Sequence, residues 1–164
     1  MSSNSGVRIA ILLGCTCLPA GPASARIGEA EVRAGPRGDP CFTIAPREER
    51  AGTLDFGAIV VAEGAHPVWR LVLPKERTFP LTAGTCVPYG GHSPALPRTA
   101  SAPLVPGRIY TLHIEARPGG HAHAATSYEA RFCLAQGRGG SAVVRQLHSG
   151  EHDAAAAHSG IVCE

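Results

Sequence analysis

Apolar residues recur at every second position in several short stretches of this chain, and glycine and proline punctuate the gaps between them. The clearest stretch is Leu104–Ile114, where Pro106 and Gly107 lead into a strand with Tyr110, Leu112 and Ile114 on one face. Thr111, His113 and Glu115 fall on the other, the period of two expected of a half-buried strand. Upstream, Ile27–Ala34 alternates, with Ile27 grouped with Ala30, Val32 and Ala34. The turn 35–40 then leads into a second arm with Phe42 and Ile44 on one face and Cys41 and Thr43 on the other. Thr53–Val61 predicts a strand with Leu54, Phe56, Ala58 and Val60 together. His66–Leu73 predicts another, with Trp69, Leu71 and Leu73 inward and Val68 and Val72 making its second face apolar too, as in a central strand covered on both sides. Phe79 and Leu81 flank Pro80, which suits a short edge strand. Tyr128, Ala130, Phe132 and Leu134 face the core of a partner strand to the Tyr110 segment, and Ala142–His148 is the last strand.

Seven or eight short strands separated by turns predict an all-β domain built as a two-sheet antiparallel sandwich. A tyrosine entering a strand just after a Leu-x-Pro-Gly turn resembles the tyrosine corner of immunoglobulin-like and fibronectin type III domains, where the ring packs on the core and the hydroxyl ties back to nearby backbone. Trp69 is expected in that core. The run Arg47–Arg50 reads as a solvated loop, and the long segment from Gly90 to Pro103 as a binding element or a connection.

Composition agrees with a turn-rich β protein: 20 glycines and 14 prolines in 164 residues, and 5% aromatics. The net charge of +2, from 15 basic residues scattered among 13 acidic ones, lacks the basic stripe that nucleic acid binding needs. Residues 1–25 stand apart. Arg8 precedes the apolar run Ile9–Leu13, and Ala23, Ser24 and Ala25 offer the small-x-small pattern of a secretory cleavage site. The run is far short of the roughly 20 residues of a spanning helix. Leu12, Leu13, Gly14 and Cys15 form a second pattern, that of a lipobox whose cysteine becomes the acylated first residue. Both routes export the domain, which spans 27–148, to an oxidising space; one leaves it soluble, the other anchored through Cys15. A tail follows at 149–164, with one helical turn expected at Asp153–Ala157.

Outside the leader four cysteines remain, Cys41, Cys86, Cys133 and Cys163, an even number that implies two disulfides. A bridge across the core from Cys41 to Cys133 conflicts with the alternation, since Cys41 lies opposite Phe42 and Ile44 while Cys133 shares a face with Glu129 and Arg131. Peripheral staples fit instead: Cys41 with Cys86, and Cys133 with Cys163. Tetrahedral zinc is disfavoured because the four are tens of residues apart, without close Cys-x-x-Cys pairs.

No catalytic constellation emerges. The chain has no Gly-x-Ser-x-Gly elbow, no phosphate-cradling glycine loop and no carboxylate pair in an apolar setting. His121 and His123 would project to one side of an extended segment, yet no third ligand stands at a suitable spacing, so solvated histidines are expected and no cofactor or metal is assigned.

Cys41 and Phe42 opening an early strand, Pro67–Trp69, Cys86–Gly90, Pro103 and Leu104 with Pro106, Gly107 and Tyr110, and Tyr128 with Phe132 and Cys133 come in an order that resembles a family of small bacterial proteins described as type VI secretion immunity periplasmic lipoproteins. The likeness covers Glu29–Gln136 and leaves out the tail. It implies a non-catalytic periplasmic protein, monomeric alone, whose partner is a secreted toxin effector, with no nucleic acid and no membrane contact beyond a lipid anchor. Trp69, Tyr89 and His92 are the contact residues this reading nominates, since aromatics carry much interface energy. A general envelope binding module and a metal carrier using His121 and His123 are the alternatives.

Overall fold

The computed structural model describes residues 26–52, 54–77, 79–91, 96–117, 125–137, 141–147 and 163. Within them the alternation becomes nine strands. β1 (Ile27–Ala34) and β2 (Pro40–Ile44) form the expected hairpin, with Ala34 opposite Pro40 and Ala30 opposite Ile44. β3 (Leu54–Glu63) and β4 (His66–Val72) make a second hairpin. The short β5 (Pro80–Leu81) pairs with β3, and β6 (Val87–Pro88) pairs with β2. β7 (Ile109–Ala116), β8 (Ser127–Gln136) and β9 (Ala142–Leu147) complete an antiparallel run.

Hydrogen bonding joins these strands in the order β4-β3-β7-β8-β1-β2-β6, with β9 on β8. The sheet curls into a half-barrel. β1 is where it turns. Its first residues, Ile27–Glu29, lie parallel to β8, and from Ala30 onward the strand pairs antiparallel with β2 instead. The curl brings Phe42 of β2 to 5.8 Å, between ring centroids, from both Trp69 of β4 and Phe132 of β8. Around them Ile44, Phe56, Ile59, Leu71, Leu112 and Ile114 are fully buried, the apolar burial that drives folding.

The corner at Tyr110 has the expected form. The ring is 1% exposed, and its hydroxyl accepts the Val105 N–H at 2.8 Å, so one side chain ties the turn to the core. The disulfides join Cys41 to Cys86 and Cys133 to Cys163, the two peripheral staples expected. Cys133 nonetheless is fully buried rather than outward, because its bonded partner Cys163, itself 2% exposed, covers it.

Four local readings change. In β1 the buried residues are Gly28, Ala30 and Val32, and Ile27 lies on the opposite parity, 59% exposed. In β3 the pairing with β7 shifts register between Phe56 and Ala58, so the inward set becomes Phe56, Ala58, Ile59 and Val61 while Val60 turns half out. β4 lies at the sheet's end, not its centre, and Val72 is 51% exposed. Pro46–Glu49 is a helical turn, α1, and buries Glu48.

Two polar side chains hold what strands cannot. At β1 the backbone of Ala30 and Val32 faces away from β2, and the Gln146 carboxamide from β9 meets it, accepting the Val32 N–H at 2.7 Å and donating to the Ala30 carbonyl at 3.2 Å. Arg117, after β7, donates to the carbonyls of Leu73, Pro74, Lys75 and Arg77, fixing the chain that leaves β4.

Gly28 explains how β1 can lie against β8. A Cβ there would sit 2.5 Å from two ring atoms of Tyr128, which is 1% exposed and has no room to retreat. Gly28→Ala is therefore expected to destabilise the fold by about 1–3 kcal/mol through overpacking, read as a lower denaturant midpoint with unchanged slope.

Candidate recognition surface

The nominated aromatics come together, but they face inward. Trp69 is 2% exposed and packs on Phe42, with Tyr89 at 5.3 Å between centroids. Its indole N–H donates to the Thr99 hydroxyl at 2.7 Å. Tyr89 is half-buried, and its hydroxyl donates to the Ala102 carbonyl at 2.7 Å. Burial, with a smaller contribution from Tyr110, pushes the pKa of that hydroxyl up to about 12, so it keeps its proton in any physiological medium. Ala102 N–H donates in turn to the Val68 carbonyl at 3.0 Å, and Ser101 bridges to Trp69. Trp69 and Tyr89 thus anchor the 96–104 segment along the edge of β4, and Trp69 has almost no surface to offer a partner. Gly91 makes the approach possible: its φ is +67°, and a Cβ would lie 2.9 Å from the Pro97 carbonyl oxygen.

Beside this segment lies an open groove of 430 Å³, lined in part by Pro40, Tyr89, Ala102, Leu104 and Leu134. It holds apolar and backbone surface but no cluster of titratable groups. His92, His121, His123, Cys15 and the helical turn expected at 153–157 lie outside the described residues.

A second cleft, of 520 Å³, lies where β1 meets β8 and is lined by Arg26, Gly28, Glu29, Arg47, Glu48 and Glu129 among others. Glu48 accepts two hydrogen bonds from Arg26, at 2.6 and 3.3 Å, and one from the Glu29 N–H at 3.3 Å. Arg47 pairs with Glu29, and across the sheet His113 Nδ1 lies 3.1 Å from Glu129. Burial works against ionisation of Glu48, but the Arg26 hydrogen bonds, the Glu29 N–H and the two guanidinium charges outweigh it and leave the carboxyl below its ordinary 4.5. Nothing in the local pattern announced this buried carboxylate. Only Pro46, a residue favoured in the first turn of a helix, hinted that the charged run was not a loop.

A carboxyl whose pKa is lower folded than unfolded contributes its stabilisation in full above the unfolded value and loses it as pH falls through the folded one. Glu48→Gln is accordingly expected to cost about 1 kcal/mol at neutral pH, since Arg26 remains half exposed to water. That gap should close progressively below pH 4.5, in paired denaturant titrations of the two proteins from pH 7 to 3.

Among the described residues no group of three or more His, Cys, Asp or Glu side chains could hold a metal ion. The four cysteines there are oxidised and unable to act as nucleophiles. What the arrangement supplies is a stapled scaffold with an anchored loop, an open groove and a charged cleft. No family model, curated protein or solved structure matches this chain.

Proposed function

We propose that the chain is an exported, non-catalytic binding protein of the bacterial envelope, and that it protects its cell by binding a toxic effector delivered by sister cells through type VI secretion. The single observation that carries the compartment is the pairing of Cys41 with Cys86 and of Cys133 with Cys163, bonds that persist outside the reducing cytosol. It agrees with the export pattern of residues 1–25. The immunity role rests on the family resemblance across Glu29–Gln136.

The finer reading of the scaffold is an immunoglobulin-like sandwich. β3-β7-β8 would then correspond to strands C, F and G of such domains, with the corner tyrosine at the start of F, and β1-β2-β6 to A, B and E; the strand order is what supports it. On this reading β1 is the strand shared between two sheets, and the function is that of many such domains: a rigid frame presenting loops and edges. The effector is held at that surface and its active site occluded.

Deleting the gene tests the proposal. The mutant should be killed by sister cells with an active type VI apparatus and rescued by the gene in trans, and an effector should co-purify with the protein from periplasmic extract. Unaltered survival of the mutant would reject the immunity role. Fractionation of a Cys15→Ser variant distinguishes the two export routes, since only a lipid-anchored protein would be released from the membrane by that change.

A further inference from the structure

A sheet that does not close has edges, and an edge offers a row of backbone N–H and C=O groups that another extended chain can satisfy. Two edges here are already blunted. On β4 the 99–102 segment crosses the strand, and the Val68 carbonyl takes the Ala102 N–H. β6 is only two residues long and ends in Pro88, which has no N–H to give.

β9 is neither short nor crossed. The Gly137 N–H bonds the Ser141 carbonyl at 2.6 Å, which fixes the alternation of the hairpin. Ala135 with Val143 and Cys133 with Arg145 are then the hydrogen-bonded pairs, and Ala142, Val144 and Gln146 turn their N–H and C=O groups away from β8. β1 does not take them, because from Ala30 it pairs with β2 and meets β9 through the Gln146 side chain. Among the described residues nothing bonds the outward backbone of Ala142 or Val144. Along the adjoining outer face run Val143, 48% exposed, then Arg145, exposed, then Leu147: apolar, basic, apolar at a period of two. Arg145 has no carboxylate within ion-pair distance among the described residues.

We infer that the free edge of β9 is a docking site for an extended strand of a partner protein, one that pairs its backbone with Ala142 and Val144 and sets an acidic side chain against Arg145 between two apolar ones. Naming that partner as the effector rests on the proposed function; the edge chemistry does not. Charge complementarity selects such a strand over a second copy of this chain. Two β9 strands paired about a two-fold at Val144 would set each Arg145 against a Val143 and leave both charges without a counter-charge.

The test uses the exported, oxidised protein and a blocked seven-residue peptide with valine, glutamate and valine at its second, fourth and sixth positions and threonine between them, so that the three share one face. The same peptide with lysine in place of glutamate is the control. Amide hydrogen exchange by NMR should slow at Ala142 and Val144 with the glutamate peptide and not with the lysine one. Arg145→Glu should weaken binding by more than about fivefold, since it removes one good cross-strand charge pair and sets like charges opposite each other, and should shift preference toward the lysine peptide. Ala142→Pro removes an outward donor without touching the β8 ladder and should weaken binding further; if that variant does not fold, Arg145→Glu on an exposed side chain stands alone. Protection at Arg70 and Val72 instead, or at no edge, overturns the inference. So does protection of β9 that grows with protein concentration without peptide, which would make a second copy the occupant. Peptide binding at β9 together with full survival of the gene-deletion mutant would uphold the edge and reject immunity. Killing of the deletion mutant together with wild-type protection and effector binding by Arg145→Glu and Ala142→Pro would uphold immunity and reject the edge.

Discussion

Trp69→Ala is expected to destabilise the protein by about 3–5 kcal/mol, the range for removing a large aromatic from a packed core. The ring is 2% exposed and touches Phe42 and Tyr89, so the cavity opens at the junction of β2, β4 and the 3₁₀ turn Tyr89–Gly91, where little can collapse to fill it. The same substitution releases the Thr99 hydroxyl and loosens the 96–104 segment from β4. Trp69→Phe separates the two effects. It keeps most of the packing and loses the hydrogen bond, so global stability should fall by about 1 kcal/mol while proteolysis within the segment rises. Equal protease sensitivity of Trp69→Phe and the native chain would show that the indole N–H does not hold the loop.

Replacing Cys41 and Cys86 together by serine should cost about 4 kcal/mol, the loop-closure value for a separation of 45 residues. Domains of this size hold roughly 5–15 kcal/mol in all, so the double variant would sit near the edge of folding and thermal unfolding of the native protein should shift sharply on reduction. The bond matters locally as well. β6 pairs with β2 through only two residue pairs, and Cys41 lies in one of them, so the covalent link keeps this end of the sheet in register where hydrogen bonds are few. A reduced protein that melts like the oxidised one would show that the β2–β6 end stands without it.

These positions also mark what could be read from the sequence. Period-two patterning placed the strand after Pro106, its partner at Tyr128–Leu134 and the Trp69 strand correctly, because each buries one face and a register slip would expose every apolar residue in it. The same parity argument excluded a Cys41–Cys133 bridge across the core, although it set Cys133 outward where the structure buries it. It failed at β3, where the register shift between Phe56 and Ala58 moved Ile59 and Val61 inward; a bulge adds a residue without any change in apolar content, so the pattern cannot reveal it. At β4 parity held, but the reading of a covered second face did not, because Val72 is as apolar on an exposed edge as in a covered centre. The aromatics nominated for contact were chosen by residue type, and type does not tell a ring that anchors a loop from one that meets a partner. Glu48 and Gln146 were invisible for a related reason: their roles depend on backbone from strands far away in sequence, Glu29 in one case, Ala30 and Val32 in the other.

Gln146 has a consequence for how the molecule can vary. Its amide supplies a rung that backbone would supply elsewhere, so the spacing between the last strand and the first depends on the length and chemistry of one side chain. Shortening it to asparagine would draw those strands together or leave a gap for water, and a glutamate there could accept from Val32 but would set a negative oxygen against the Ala30 carbonyl. The separation of β9 from β1 is in this sense adjustable by single substitutions that leave every strand-to-strand bond in place.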